Sequence, residues 1–167
     1  MLTNCYYLAV MKTVKTYTLE EAKRTLENYC AYQERCHKEV IQKLRDMRMI
    51  PEALDLVVVH LLEHDFLNET RFSKSYVRGK FRVKKWGRKR LEMELKKREI
   101  SKFNIQEAFK EISDTDYLEA FHALAEKKVQ TLIETDKWKK RKKLTNYLLY
   151  RGWESHLVYD KVAELIH

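Results

Sequence analysis

Two histidines and a glutamate are spaced so that they could hold a metal ion. His60, Glu63 and His64 form the pattern H-x-x-E-H, which in one class of zinc peptidase puts two imidazoles one helical turn apart on the same metal. The leucines between the histidines, however, suit the buried face of a helix. A histidine in the last turn of a helix is also favourable beside the negative end of the helix dipole. We therefore predict no metal site and no cofactor.

A second group of potential metal ligands is Cys30, Cys36 and His37, but the sequence offers no convincing fourth ligand. Cys30 also falls on the apolar stripe of a predicted helix. Together with Cys5 the chain has three cysteines, an odd number that neither builds a disulfide framework nor supplies a C-x-x-C pair. The sequence contains no glycine-rich phosphate loop and no serine nucleophile motif. We predict a cytoplasmic protein without catalytic activity.

Lysine and arginine are concentrated in two blocks that suit a polyanion. The formal net charge is +9, residues 71–98 contain 13 basic and 2 acidic side chains, and residues 137–151 contain 7 basic side chains and no acidic one. Such blocks bind nucleic-acid phosphates, although many basic helices are only solvated. We predict a basic surface, the basic edge, made of Arg71, Arg78, Lys80, Arg82, Lys84, Lys85, Arg88, Lys89, Arg90, Lys139, Lys140, Arg141, Lys142 and Lys143.

The apolar pattern that must position these residues occurs three times. Residues 40–44 align with residues 91–95 and again with residues 144–148. A repeat near 50 residues, in a chain with only three Gly and one Pro, favours stacked three-helix units over a sheet protein. We predict an all-α fold of three tandem three-helix, helix-turn-helix-like repeats in an elongated, curved array.

The predicted boundaries are an N-terminal tail at 1–16 and repeats at 17–66, 67–113 and 114–167. The tail matches no repeat, and the sequence leaves open whether it is ordered and whether Met11 is the true start. Its apolar run, residues 6–10, is too short for a signal peptide or a membrane span. We therefore expect no membrane association.

The repeat alignment makes three further predictions. Arg88–Arg90 and Arg141–Lys143 fall at equivalent positions, so stacking is expected to bring them to one edge. Asp65–Leu67 is matched with Asp116–Leu118, and the first helix of the third repeat is expected to span residues 116–135. Gly152 is expected to form the turn before the last helix. Four aromatic residues near the basic blocks could stack on bases or belong to the core: Tyr76, Phe81, Trp86 and Trp138.

Two segments resemble signatures of the bacterial RecX family, the regulators of RecA recombinase. Residues 66–78, FLNETRFSKSYVR, are similar to YLDDERFARAYVR, and residues 86–100, WGRKRLEMELKKREI, are similar to WGPRRIRQELRQKGI. Asn68 stands where the first signature is acidic, and Arg88 where the second usually has proline. The resemblance covers roughly residues 18–166 and implies the same fold of three-helix repeats.

The resemblance implies a protein that binds the RecA–single-stranded DNA filament and lowers its ATPase activity and strand exchange in DNA repair. We expect it to be a monomer. Arg71, Arg78 and Arg88–Arg90 match basic positions of the signatures and are the expected contacts, unless Arg71 pairs locally with Glu69 or Asp65. The alternative is a helix-turn-helix protein that binds duplex DNA in transcription. Its third helices would be recognition helices, but they are acidic or apolar. The positive charge lies on the first and second helices, which suits backbone contact better than base readout.

Overall fold

The computed structural model describes residues 16–167, and all regular secondary structure in this part of the chain is α-helical. The predicted N-terminal tail, except for Thr16, lies outside the described residues. The nine helices of the described part are α1 (Leu19–Tyr32), α2 (His37–Asp46), α3 (Pro51–Glu63), α4 (Glu69–Lys84), α5 (Arg88–Lys97), α6 (Lys102–Phe109), α7 (Asp114–Gln130), α8 (Lys137–Tyr150) and α9 (Ser155–Leu165).

The helices begin where the sequence supplies caps. The hydroxyl of Thr18 accepts a hydrogen bond from the Glu21 N–H, and the Glu21 carboxylate returns one to the Thr18 N–H, so α1 starts with a capping box. Pro51 occupies the first turn of α3, where its missing N–H costs nothing. Four further helices are capped by the side chain of the residue before them. These residues are Asn68 for α4, Ser101 for α6, Ser113 for α7 and Asp136 for α8.

The helices pack in three groups, which we call the first unit (α1–α3), the second unit (α4–α6) and the third unit (α7–α9). In each unit the second helix buries two apolar side chains at equivalent positions. These are Val40 and Leu44, Leu91 and Leu95, and Leu144 and Leu148. The predicted all-α repeat fold is confirmed, and the boundaries 17–66, 67–113 and 114–167 remain our proposal for the units.

The backbone repeats as well as the core. Arg48, Glu99 and Gly152 end the second helices with positive φ values of 58°, 63° and 84°. In each turn the N–H of the following residue donates to a carbonyl five residues back, with N···O distances of 3.2, 3.2 and 3.3 Å, as in a Schellman motif. The predicted turn at Gly152 is therefore confirmed, and it has counterparts at residues with side chains.

Two predicted details differ from the structure. Asp65–Leu67 lies in the loop before α4, whereas Asp116–Leu118 lies in the first turns of α7, so their predicted match is wrong. The reason is that α6 has 8 residues and α3 has 13, which brings the next helix forward. In addition, α7 ends at Gln130 instead of Thr135, because Thr131 closes the helix and Asp136 caps α8.

The buried side chains form two clusters. One cluster lies within the first unit, whereas the other continues through the second and third units and contains Phe81, Tyr117 and Trp153. Cys36, at the start of α2, belongs to the second cluster and not to that of its own unit. The second and third units therefore share one core, to which the first unit is joined. Within residues 16–167, none of the helices combines the length and apolar character needed to cross a bilayer.

Candidate partner-binding surface

The loop before α5 meets the turn after α8 and forms the joint between the second and third units. The N–H of Gly87 donates to the carbonyl oxygen of Arg151 at 2.9 Å, and the N–H of Lys89 donates to that of Gly152 at 3.1 Å. These bonds satisfy N–H groups that a helix N-terminus leaves without an internal partner. The joint therefore fixes the start of α5, where the predicted block Arg88–Arg90 lies.

Two arginines of that block have partners inside the protein. The Arg88 guanidinium lies 2.6 Å from Asp114 and 4.3 Å from the centre of the Tyr117 ring. The Arg90 guanidinium lies 4.5 Å from the ring centres of both Trp86 and Tyr150, and it donates to the Tyr150 carbonyl at 2.7 Å. Of the three predicted contacts here, only Lys89 extends freely into solvent.

Tyr117 links the same joint from its buried side. Its hydroxyl accepts a hydrogen bond from the Arg88 N–H at 2.9 Å and donates one to Glu154 at 2.8 Å. Burial and the bond to Glu154 together raise the pKa of Tyr117 well above its ordinary value. The ring lies 4.6 Å from Trp153, which is fully buried. The hydroxyl therefore remains a donor throughout the usual pH range.

Arg71 connects the second unit to the first. Its Nε donates to Glu34 at 2.6 Å, and its Nη1 donates to Asp65 at 2.7 Å. A hydrogen bond from Asn68, assisted by Arg71, holds the pKa of Asp65 below its usual value. The predicted alternative of local pairing with Asp65 is present in the structure. Arg71 therefore acts first as a tie between units.

Other members of the basic edge also have acidic partners. Arg78 lies 3.1 Å from Glu111, in the turn after α6, and Lys143 lies 2.7 Å from Glu134. The hydrogen bond from Lys143 lowers the pKa of Glu134. Lys80 has no carboxylate partner in the described residues and lies 5.3 Å from the centre of the Tyr76 ring. The ion pairs of Arg78 and Lys143 lie at the surface, where solvent weakens the attraction. A stronger anion could therefore compete for these two side chains.

The remaining lysines and arginines are the charges best placed to meet a partner. Lys140 and Arg141 are half-buried along α8. Six members of the basic edge are exposed and have no ion-pair partner within residues 16–167, namely Arg82, Lys84, Lys85, Lys89, Lys139 and Lys142. Because unpaired exposed cations exchange only water and counterions when they bind phosphate, we treat these six as the free basic residues.

One turn at the start of α8 has no equivalent in the other units. Arg141 aligns with Arg88, the first residue of α5, whereas α8 begins four positions earlier at Lys137. This extra turn carries Trp138, which is 79% exposed. The other three aromatic residues near the basic blocks are buried or half-buried and pack in the core, as Phe81 does. Trp138 is therefore the aromatic residue of the four that is available for stacking.

The histidine pattern does not form a shared metal site in the structure. His60 Nε2 lies 2.6 Å from Glu27, and His64 Nδ1 lies 2.9 Å from the His60 carbonyl oxygen. Across the described residues, no three His, Cys, Asp or Glu side chains come together as metal ligands. Cys30 and Cys36 lie in different buried clusters. Burial raises the pKa of Cys30 to about 11 and also raises that of Cys36.

Sequence reasoning missed the residues that receive the α5 loop, above all Arg151 and Trp153. A signal for them does exist in the sequence, because Trp86-Gly87-Arg88 is mirrored by Arg151-Gly152-Trp153. Each glycine sits where the two chain segments cross, with an aromatic and a basic neighbour beside it. The ties between the first and second units, in contrast, join residues with no shared spacing or motif.

The fold has counterparts in known proteins. Residues 68–108 match the family model "RecX, second three-helix domain", and residues 114–162 match "RecX, third three-helix domain". Regulatory protein RecX of Yersinia enterocolitica is 31% identical over 117 residues, which are 68% of either chain. Regulatory protein RecX of Clostridium acetobutylicum is 30% identical over 77% of this chain, but the match spans 61% of that longer relative.

Two solved structures share the architecture. The crystal structure of RecX from Lactobacillus salivarius superposes with a TM-score of 0.73 at 25% identity, covering 88% of this chain and 96% of the other. A second structure, of a regulatory protein RecX, superposes with a TM-score of 0.77 at 19% identity, covering 87% of this chain and 73% of the other. At that lower identity the second likeness is one of fold.

Proposed function

This chain belongs to the RecX family of regulatory proteins, and on that premise we propose that it binds the RecA–single-stranded DNA filament and lowers its ATPase activity and strand exchange. In this proposal it acts as a cytoplasmic monomer with no catalytic activity of its own, and it contributes to the regulation of DNA repair and recombination. Binding alone is then the mechanism, because the protein competes for contacts that the filament needs.

The observation that carries the proposal is the set of free basic residues on a jointed helical array. Arg82, Lys84 and Lys85 lie at the end of α4, and Lys139 and Lys142 lie on α8. These two groups stand on units that share one buried core, so their separation is held by packing and not by a flexible linker. A fixed spacing between two cationic patches suits a regular anionic filament better than a mobile anion.

The free basic residues favour backbone contact over base readout. Lysine and arginine near phosphates position a protein without reading sequence. The exposed Trp138 adds a flat surface on which an unpaired base can stack. Duplex DNA does not offer unpaired bases. Both features fit single-stranded DNA held in a protein filament. The helix-turn-helix alternative requires sequence-selective binding to duplex DNA and gains no support from these residues.

The test is the ATPase rate of recombinase preassembled on single-stranded DNA, titrated with this protein at fixed salt. We expect inhibition that excess free DNA does not relieve. The variant Lys139→Glu/Lys142→Glu should inhibit much less, whereas the control Lys102→Glu/Lys127→Glu makes the same change of charge at exposed positions off the basic edge. Inhibition that excess DNA abolishes, or equal loss in both variants, would contradict the proposal.

A further inference from the structure

A groove of about 410 Å³ lies between α4 and the first unit, away from the free basic residues of α8. One wall is a face of α4 that includes Tyr76, Gly79 and Val83. The opposite side is lined by Glu34 and Glu39, which flank the start of α2. The groove thus combines an apolar helix face with two carboxylates of the neighbouring unit.

Gly79 lines the groove and leaves its own position free of a side chain. It lies inside α4, yet a Cβ atom built on it would meet no other atom within 4 Å. Packing within the described protein therefore does not require glycine here, although glycine in a helix interior is less favourable than alanine. Val83, one turn further on, is 76% exposed. A glycine beside an exposed apolar side chain permits the close approach of another molecule.

The carboxylates on the other side still have bonding capacity. The Oε1 atom of Glu34 accepts from Arg71, and that of Glu39 lies 3.6 Å from Arg98 Nε. The Oε2 atoms of Glu34 and Glu39 are buried and have no hydrogen-bond partner within the described residues. A buried acceptor without a partner destabilises the protein. Both side chains are partly exposed, so a turn of either carboxyl group lets a donor from outside remove that cost.

The basic residues around the groove do not turn it into a binding site for anions. Arg98 donates to the Glu94 carboxylate at 3.1 Å and lies 4.9 Å from the centre of the Tyr76 ring. Lys80 lies over the rings of Tyr76 and Trp86. Lys84 stands at the rim and extends into solvent. A nucleic-acid phosphate could reach Lys84, but deeper in the groove it would meet the two carboxylates and be repelled.

We propose that this groove binds a segment of a partner protein that carries an apolar residue next to an arginine or lysine. The apolar side chain lies over Gly79 between Tyr76 and Val83, and the basic side chain donates to the carboxylates of Glu34 and Glu39 once these turn toward the groove. The identity of the partner rests on the proposed function: the segment belongs to a protomer of the recombinase filament. The groove then recognises protein while the free basic residues meet DNA.

The variant Gly79→Leu fills the groove without removing any contact in the structure. We expect its unfolding free energy to be unchanged or higher, because leucine is the better helix former. Its affinity for the recombinase filament should fall at least tenfold, while its affinity for bare single-stranded DNA stays within twofold of the parent. The matched control Ala163→Leu, at an exposed position of α9, should change neither. If Gly79→Leu is poorly folded, Val83→Asp takes its place.

A probe that needs no recombinase separates this inference from the proposed function. The peptides N-acetyl-Leu-Arg-amide and N-acetyl-Leu-Glu-amide are titrated separately into the full chain while the amide resonances of Gly79 and Val83 are followed by NMR. We expect shifts with the arginine peptide alone, and their loss in Gly79→Leu. If the parent fails to bind filament but responds to this peptide, the proposed function fails and the groove stands.

Three results would overturn the inference. One is that neither peptide, or both equally, shifts the resonances. Another is that Gly79→Leu binds filament as tightly as the parent does. The third is that bare single-stranded DNA binding falls in parallel with filament binding, which would make the groove a nucleic-acid site.

Discussion

Gly87 and Gly152 lie where two chain segments cross so closely that neither glycine has room for a Cβ atom. A Cβ on Gly87 would lie 2.7 Å from the Trp153 nitrogen and closer still to the Gly152 carbonyl, and one on Gly152 would lie 2.8 Å from the Arg90 Cα atom. The atoms that block these positions are mainly backbone, which cannot swing aside as a flexible side chain does. The crossing of the two chain segments therefore depends on glycine on both sides.

Replacing either glycine should weaken the joint between the second and third units. We expect Gly152→Ala and Gly87→Ala each to lower the free energy of unfolding by about 2 kcal/mol or more, with the larger loss for Gly152→Ala because of its positive φ. Urea unfolding at neutral pH measures this change. Gly79→Ala is the control and should be neutral or slightly stabilising. An equal effect at all three glycines would contradict the close crossing.

Removing the hydroxyl of Tyr117 should destabilise the same joint by another route. Tyr117→Phe leaves the Arg88 N–H without its acceptor and Glu154 without its donor. We expect a loss of about 1–3 kcal/mol in unfolding free energy, since a buried polar group without a partner is costly. Tyr159→Phe, at an exposed tyrosine, should cost almost nothing when measured in the same urea titration. A loss from Tyr159→Phe as large as that from Tyr117→Phe would contradict this role.

Trp138 should contribute to binding of single-stranded DNA without contributing to stability. Its ring is exposed on the extra turn of α8, so Trp138→Ala removes little packing. We expect a loss of about 1–3 kcal/mol in binding free energy, the usual worth of an aromatic–base stack, and an unchanged melting temperature. Fluorescence anisotropy with a labelled oligonucleotide at fixed salt measures the affinity. Ile133→Ala, at a residue that is 97% exposed nearby, should bind as the parent does.

Lys161 should make stability depend on pH at the alkaline end. Burial alone would lower its pKa, but hydrogen bonds to Glu164 and Glu126 outweigh burial and raise the pKa above the usual 10.5. A group whose pKa is raised by folding stabilises the folded state below its unfolded pKa, and that contribution is lost as the pH rises through the folded pKa. Unfolding free energy should therefore fall above pH 10.5.

The variant Lys161→Met tests that assignment. Val57 and Ala108 occupy the equivalent buried positions of the other units, so an apolar side chain fits the site. We expect Lys161→Met to be as stable as the parent at pH 7, or more stable. A buried ion pair seldom stabilises a protein more than a well-packed apolar side chain in its place. Above pH 10.5 it should lose less stability than the parent. Lys127→Met, at an exposed position, should follow the parent, and a parallel decline in all three proteins would contradict the assignment.

The sequence predicted most of the fold because the signals for it are local. Leu91 and Leu95 lie one helical turn apart on one face, and their counterparts recur at a regular distance, so helices, cores and turns could all be placed. The exposure of the free basic residues, such as Lys139, was also predictable, because no packing partner constrains them. The candidate site was least predictable where residues distant in sequence meet.

Arg88 and Arg90 show why. Their position at the start of a helix suggests a solvated basic block with no partner inside the protein. The structure instead gives Arg88 a partner in Asp114 and gives Arg90 one in the Tyr150 carbonyl. The pairing depends on how two units dock, which helical periodicity does not encode. Charge reversal at Lys89 alone is the cleaner test of partner binding here.

The division of the buried side chains also bears on the order in which the chain acquires its structure during synthesis. The first unit has its own cluster of buried residues and can close as soon as α3 has left the ribosome. The second unit cannot complete its core when α4–α6 have been made, because Phe81 packs against Tyr117 and Trp153, which are made later. Its apolar face stays uncovered until α9 begins. For this interval the nascent second unit exposes apolar surface, which favours aggregation.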